Sequence, residues 1–420
     1  MASWLAGKLE GMEYTNSLEH AQTLQPTLRD WRRDFHRHPE LSFQEQRTAT
    51  KVASLLRELG WQVREGVGRT GVLADLCPAE LVGQDVPTIA IRADMDALPI
   101  TEVTGADYAS TVPGVMHACG HDAHTAMLLG VANILKTHFD AATLGTWQGR
   151  VRLLFQPSEE SRDKNGISGA RAMLTDGVLD GVHQVLALHV NPRLPAGTCQ
   201  FCDGPAYAGA DGFAIWVRAA GGHGASPHEA GDPLFMLTSL LPALYGLTGR
   251  HADPRASTVL SLGQIQAGTA GNVIPSEVFL KGSIRSFDPV TRERMLAELK
   301  RAVNIIPALG GEVELNLSNP PLPPLINSPE VSAQLRAAAT SLLGEDKVIY
   351  LDQPFTMGSE DFAYMTQAVP GALFELGVDL DDGVKRECHM PIFDVNEDAL
   401  PVGAAVMAET ARRFVIGESS

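Results

Sequence analysis

Apolar residues recur at helical spacing from Ser17 to His36, at Leu18, Leu24, Leu28, Trp31 and Phe35. The pattern predicts a helix that runs out at His38-Pro39, because proline disfavours helix in the residue before it. A second helix is expected directly afterwards. Ser42-Phe43-Gln44-Glu45 reads as a capping box, Val52, Leu55, Leu56 and Leu59 form an apolar stripe, and Gly60 stands where the helix would terminate. Trp61 to Val63 and Thr70 to Leu76 read as strands around a glycine turn. Thr88 to Arg92 is a short run typical of a strand buried on both faces, and it delivers Asp94 and Asp96, two residues apart and so on one face. Val151 to Phe155, ending at Gln156-Pro157, and Val185 to Leu188, ending at His189, are runs of the same kind. Between these runs, helices are expected at Asp122 to Thr137 and at Ser168 to Asp176, the latter closed by Gly177. Buried strands alternating with helices predict an α/β fold with a mainly parallel sheet, whose ligands collect at the carboxyl ends of the strands.

The pattern changes at about Asp211. Phe213 to Ala219 reads as a strand, Asp232-Pro233 opens a helix through Leu247, and Val259 to Ile265 and Val278 to Arg285 read as two more strands. Asp288-Pro289 opens a second helix, and Glu312 to Leu317 is a last strand. This βαββαβ order predicts an inserted ferredoxin-like domain with an antiparallel sheet. Pro320-Pro321-Leu322-Pro323-Pro324 is a stiff return linker. The first domain then resumes, with a helix from Ser328-Pro329, a short helix opened by Gly358-Ser359-Glu360-Asp361, the strand Ala372 to Leu376 and a final helix, Glu397 to Phe414, capped by Asn396. The expected division is 1–209 and 320–420 for a catalytic domain and 210–319 for the insert.

Charge narrows the partners. With 33 Lys+Arg against 50 Asp+Glu, the formal charge of -17 argues against binding nucleic acid or an anionic membrane through a basic surface. Met1 to Glu10 has no apolar run of signal-peptide kind, and no later stretch reaches membrane-spanning length, so a cytoplasmic location is expected. The five cysteines, an odd number, do not imply a complete disulfide framework. Cys199-Gln200-Phe201-Cys202 has the spacing of half a zinc knuckle, with no second pair to complete it.

Chemistry concentrates in Met116-His117-Ala118-Cys119-Gly120-His121-Asp122-Ala123-His124, where three imidazoles, a thiol and a carboxylate fall within nine residues. Gln156-Pro157-Ser158-Glu159-Glu160, Leu188-His189-Val190 and Cys388-His389-Met390-Pro391 add donors from other segments. Cys119, His121, Glu160, His189 and His389 are candidate metal ligands, a set that suits zinc or manganese, with cobalt and nickel also open. Two ions held about 3.5 to 4 Å apart would activate a water and polarise a carbonyl. Adjacent residues on a strand face opposite sides, so Glu159 and Glu160 reach one site only if the strand has ended, and Pro157 is the expected stop. One carboxylate would bind metal while the other moves the proton, and spacing alone leaves open which does which. His36, His38, His138, His183 and His251 read as structural or surface residues.

At this point the chain resembles the M20 metallopeptidase family, in its amidohydrolase branch of hippurate hydrolases and auxin-conjugate hydrolases. The resemblance is carried by Arg92 to Pro99, Met116 to His124, Phe155 to Glu160, Gly221 to His228, Gly271 to Pro275 and Gly358 to Phe362. It implies a catalytic domain with an inserted lid that also dimerises, and two divalent ions per subunit. By motif position it makes Cys119, His121, Glu160, His189 and His389 the ligands and Glu159 the general base, with Asp96 orienting a ligand from behind. His223 would stabilise the oxyanion, while Asn272 and Arg285, with Gly358, would bind the amino-acid part of the substrate. Two departures stand out: Ser161 to Gly166 replaces a glycine-rich run, and Ser158 stands where the family usually has alanine. The expected activity is hydrolysis of a small N-acyl amino acid to a carboxylate and a free amino acid by a homodimer or dimer-based oligomer. A dipeptidase or carboxypeptidase with the same metals is the alternative, and a non-catalytic metal-binding relative is the reading from outside enzymes.

Overall fold

The computed structural model describes residues 16–143 and 145–418, and the expectation for Met1 to Glu10 falls outside them. Contacts divide the chain into two compact units. One comprises the residues up to Gly204, Ile326–Gln353 and those from Tyr364 on, and the other comprises Pro205–Leu325 and Pro354–Ala363.

The first unit is built on an eight-stranded mixed sheet in the order Gln62–Val67, Gly71–Leu76, Arg150–Gln156, Thr88–Asp94, Gln184–Pro195, Gly371–Asp379, Cys199–Cys202 and Val348–Leu351. Its four middle strands, from Arg150–Gln156 through Gly371–Asp379, run parallel, and antiparallel pairing enters on either side of them. Every residue of Thr88–Asp94 is buried, which is why that run carries almost no polar alternation. Helix His121–Ala141 is buried through its first four turns and packs against helices Gln25–Arg37 and Leu400–Val415.

The second unit holds a four-stranded antiparallel sheet in the order Thr258–Ala267, Glu277–Ser286, Gly209–Arg218, Glu312–Leu317. Its helices, Pro233–Arg250 and Pro289–Ala302, are capped by Asp232, which accepts from Leu234 and Phe235 N–H, and by Asp288, which accepts from Thr291 N–H. Strand Gly209–Arg218 alternates buried and half-buried residues, so Phe213, Ile215 and Val217 share one face with the helix residues Leu240 and Leu244 in a common core.

Local patterns are overturned in four places. The expected first helix is two, Ser17–Thr23 and Gln25–Arg37, divided at Leu24 with Pro26 in the opening turn of the second. The capping box does not form. The second helix, Gln46–Glu58, is instead capped by Glu40, whose carboxylate accepts from Arg47 and Thr48 N–H, leaving Ser42 and Glu45 to other work. The strand expected to stop at His189 continues to Pro195, because pairing with Gly371–Asp379 carries it past the apolar run. The short helix expected from Gly358 begins at Ala363. Among the described residues no helix is long and apolar enough to cross a membrane.

Candidate metal centre

The dense loop becomes a site through one glycine. Gly120 caps helix His121–Ala141 at a φ of 89°, and a Cβ there would stand 2.3 Å from Val190 Cγ2. Only a residue without a side chain therefore lets Cys119, just before the helix, and His121, its first residue, sit against the strand that carries His189.

The three histidines around Cys119 are distinguished by what their two ring nitrogens do. His121 Nδ1 donates to the Asp96 carbonyl at 2.9 Å, and its Nε2, though buried, has no hydrogen-bond partner. His189 Nδ1 donates to the Val190 carbonyl at 2.8 Å, which leaves Nε2 3.5 Å from Cys119 Sγ. In both rings a carbonyl fixes the tautomer and turns the Nε2 lone pair toward the thiol. His124 is different. Its Nε2 accepts from Val190 N–H at 3.0 Å and its Nδ1 donates to Asp94 Oδ1 at 2.6 Å, so both nitrogens are spent. Burial lowers its pKa to about 4, in keeping with a neutral ring. His124 is thus a strut between the Asp94 strand and the His189 strand.

The glutamate pair is seated on a carboxylate. After Pro157 the chain turns at Ser158, whose φ is 49°, and the next two N–H groups, of Glu159 and Glu160, donate at 3.0 Å each to Asp96 Oδ1 and Oδ2. Asp96 also accepts from Ser42 Oγ at 2.6 Å. Two consecutive amides held by one carboxylate take the chain out of strand geometry, which lets neighbouring side chains serve one site. Glu160 Oε1 lies 3.0 Å from His389 Nε2 and 3.8 Å from His121 Nε2, and has no partner in hydrogen-bond geometry. His389, at a φ of 68°, is tied back to the dense loop by its N–H, which donates to the Ala118 carbonyl at 2.7 Å.

Donor atoms of Cys119, His121 and His189 fall within 4.8 Å of one another, as do those of Cys119, Glu160 and His389, and of His121, Glu159 and Glu160. Cys119 joins the first two groups, and His121 and Glu160 link both to the third. The buried His121 Nε2, without a hydrogen-bond partner, and the Glu160 carboxylate near it suit a cation, and a thiol, imidazoles and carboxylates fit zinc or manganese. The electrostatics agree. Burial disfavours a charged His121, yet Asp94, Asp96 and Glu160 raise its pKa well above the ordinary value. Surroundings that negative suit a divalent ion in place of the proton. The neighbouring Cys388 thiol, together with burial, pushes the Cys119 thiol up, while the same pairing draws Cys388 down to about 6.

Beside this cluster lies a second buried charge system. Arg32 donates through Nε to Asp122 at 2.8 Å, through Nη2 to Asp394 at 2.8 Å and through Nη1 to Glu397 at 3.2 Å. His36 Nδ1 meets the same Asp122 oxygen at 2.7 Å. Burial opposes ionisation of Asp122, but Arg32 and His36 outweigh it and hold the carboxyl far below its usual range. His117 is buried with both nitrogens unpartnered, and nothing in the structure explains it.

The first unit thus brings together Cys119, His121, Glu159, Glu160, His189 and His389, with Asp96 beneath the glutamates. Within the second unit, His223 pairs with Val273 across a two-residue ladder, and the Asn272 carbonyl accepts from Gly224 N–H at 2.9 Å. Arg285 Nη1 donates to the Met357 carbonyl at 3.0 Å and to Ser359 Oγ at 3.1 Å, on either side of Gly358. Sequence reasoning assigns no role to Asp94, His124 or Cys388, although Asp94 ends a buried strand, His124 lies in the dense loop and Cys388 adjoins His389, and it gives Glu45 only a place in a capping box.

A thiol, a carboxylate and three imidazoles converging on one cluster, with a further carboxylate alongside, fit a metal-dependent hydrolase. Residues 90–413 match the family model described as Peptidase family M20/M25/M40, and the chain belongs to that family, in its amidohydrolase branch. It is similar to the N-acetyl-L-cysteine deacetylase of Bacillus subtilis, 37% identical over 94% of this chain and 89% of that protein. It is also similar to thermostable carboxypeptidase 1 of Saccharolobus solfataricus, 37% identical over 92% of this chain and 96% of that one. Among solved structures it resembles the Bacillus subtilis YXEP protein, described as a dinuclear metal-binding peptidase of the M20 family. That likeness has a TM-score of 0.77 at 33% identity and covers 95% of this chain and 100% of the other.

Proposed function

We propose that the protein hydrolyses the amide bond of N-acyl amino acids, with Glu159 as general base. The observation that carries this reading is the seating of Glu159 and Glu160 N–H on the two oxygens of Asp96, which brings a ligand and a proton carrier to the same cluster. Cys119, His121, Glu160, His189 and His389 would hold two divalent ions, manganese or zinc, which when bound supply Lewis acidity and lower the pKa of water toward about 7. Glu159 takes the proton from the attacking water and returns it to the leaving amine. From an inserted ferredoxin-like lid, His223 stabilises the oxyanion, and Asn272, Arg285 and the Gly358 segment hold the carboxylate of the amino acid. The contacts of Arg285 with Met357 and Ser359 support this, since they orient its guanidinium beside Gly358. Exposed Phe235 and Tyr245 on one helix of the second unit, and Ile265 on the edge strand Thr258–Ala267, support pairing with a second copy of the chain.

The deacetylase relative favours an acylated substrate, and the carboxypeptidase relative keeps a peptidase as the second reading. The deciding assay measures amino-acid release from N-acetyl, N-benzoyl and indoleacetyl amino acids and from unblocked dipeptides, with manganese or zinc added to chelator-stripped protein. Cleavage of the acylated set alone supports the proposal. Cleavage of dipeptides alone moves the protein to the peptidase reading, and silence with metal bound removes both.

A further inference from the structure

Glu45 is fully buried, and its side chain does not serve the helix it precedes, which is capped by Glu40. Its Oε1 accepts from two backbone amides at 2.9 Å each, those of Phe43 and Ser158. These two residues share an uncommon property: Phe43 has a φ of 59° and Ser158 a φ of 49°. For residues with a side chain the left-handed region is disfavoured, so each turn needs something to hold it. The other oxygen, Oε2, accepts from Thr70 Oγ1 at 2.5 Å, which fixes the carboxylate from a third segment.

Ser158 is the residue at which the chain leaves the Arg150–Gln156 strand and turns into Glu159-Glu160. The amides of residues 158, 159 and 160 are received in succession by Glu45, Asp96 and Asp96. Ser42, three residues before Glu45, donates to the same Asp96 carboxylate, so one short segment grips both supports of the turn. On the other side of the turn, the Ser158 carbonyl accepts from Gly169 N–H at 2.8 Å and Ser158 Oγ donates to the Ser161 carbonyl at 2.9 Å.

We infer that Glu45 is a positioning residue for the Glu159-Glu160 turn, holding Ser158 in its left-handed conformation so that both glutamates face the metal cluster. The inference rests on the reading of Glu160 as a ligand and Glu159 as the base. Burial raises the Glu45 pKa to about 7, so its carboxylate is kept in place against a solvation cost.

The test uses full-length protein loaded with cobalt(II), whose visible absorption reports ligand geometry without turnover. E45A should change the cobalt spectrum and weaken cobalt binding by about 10- to 100-fold, the range seen when support behind a ligand is lost. E45Q, which keeps an oxygen for both amides, should retain the wild-type spectrum. Glycine adopts positive φ at little cost, so S158G added to E45A should restore spectrum and affinity. A wild-type spectrum and affinity in E45A would overturn the inference, as would failure of both E45Q and S158G to preserve or restore them. If E45A does not fold, the double variant E45A/S158G carries the test: a wild-type spectrum and affinity support the inference, and altered ones overturn it. Full hydrolysis by E159Q would sink the base assignment while leaving the spectroscopic result standing, so the two failures can be told apart.

Discussion

Two buried charge systems sit side by side at the start of the helix that carries His121 and Asp122, and they are built to opposite rules. Arg32 spends its guanidinium on Asp122, Asp394 and Glu397, so a cation supplied by the chain answers the carboxylates. Around His121 and Glu160 the carboxylate meets only imidazoles, with Glu160 Oε1 3.0 Å from His389 Nε2 and 3.8 Å from a His121 Nε2 that is buried without a hydrogen-bond partner. Consecutive residues thus anchor a scaffold that needs nothing from outside and a centre that does. Density of charged residues does not separate the two. The balance of charge and the state of each polar atom do.

If that contrast holds, the largest effect belongs to Glu159→Gln, which should lower kcat by about 10⁴-fold, at the upper end for loss of a general base, with metal content unchanged. Kinetics on the acylated substrates together with metal analysis would check it, and a wild-type rate would remove Glu159 from the reaction. Arg32→Met should destabilise the protein by about 3 to 5 kcal/mol, because carboxylates would be left buried without their cation. Denaturant unfolding reads that loss, which metal should not repair. Chelation should do the converse, removing about 2.7 kcal/mol of stability relative to metal at a hundredfold excess over Kd, as thermal unfolding would show, and re-addition should restore it.

The smallest and sharpest comparison is in pH. The folded pKa of Asp122 is depressed, so its stabilisation is fully present above the ordinary value of 3.8 and is lost as pH falls through the folded value. The folded pKa of His121 in metal-free protein is raised, so its contribution is fully present below the ordinary 6.5 and is lost as pH rises through the folded value. Asp122→Asn should therefore cost most at neutral pH and little in acid, whereas His121→Gln in chelated protein should cost most below pH 6.5 and fade in alkali. Melting curves across pH would test both, and parallel profiles for the two variants would dissolve the distinction.

The sequence made the metal loop readable because its donors are consecutive, and it made the α/β layout readable because strands buried on both faces are continuous apolar runs. The ligand set takes His121 and not His124, but the physical reason is not local, since composition treats the two alike and the Val190 amide, 66 residues away, makes His124 a strut. The capping-box expectation at Ser42 to Glu45 failed for a related reason. Its residues find Asp96, Thr70 and Ser158, 25 to 113 positions distant, and no local motif registers a partner that far along the chain. The strand through His189 outran its apolar run because backbone pairing is indifferent to side-chain polarity.

The carbonyls that pin His121 and His189 have a kinetic side as well. With each ring already held in its orientation, an arriving ion meets donors that need no turning before they bind, and His121 has only its proton to give up. Uptake should then be paced by how fast the ion sheds its own water, so ions that exchange water slowly would load slowly even where their final affinity is high.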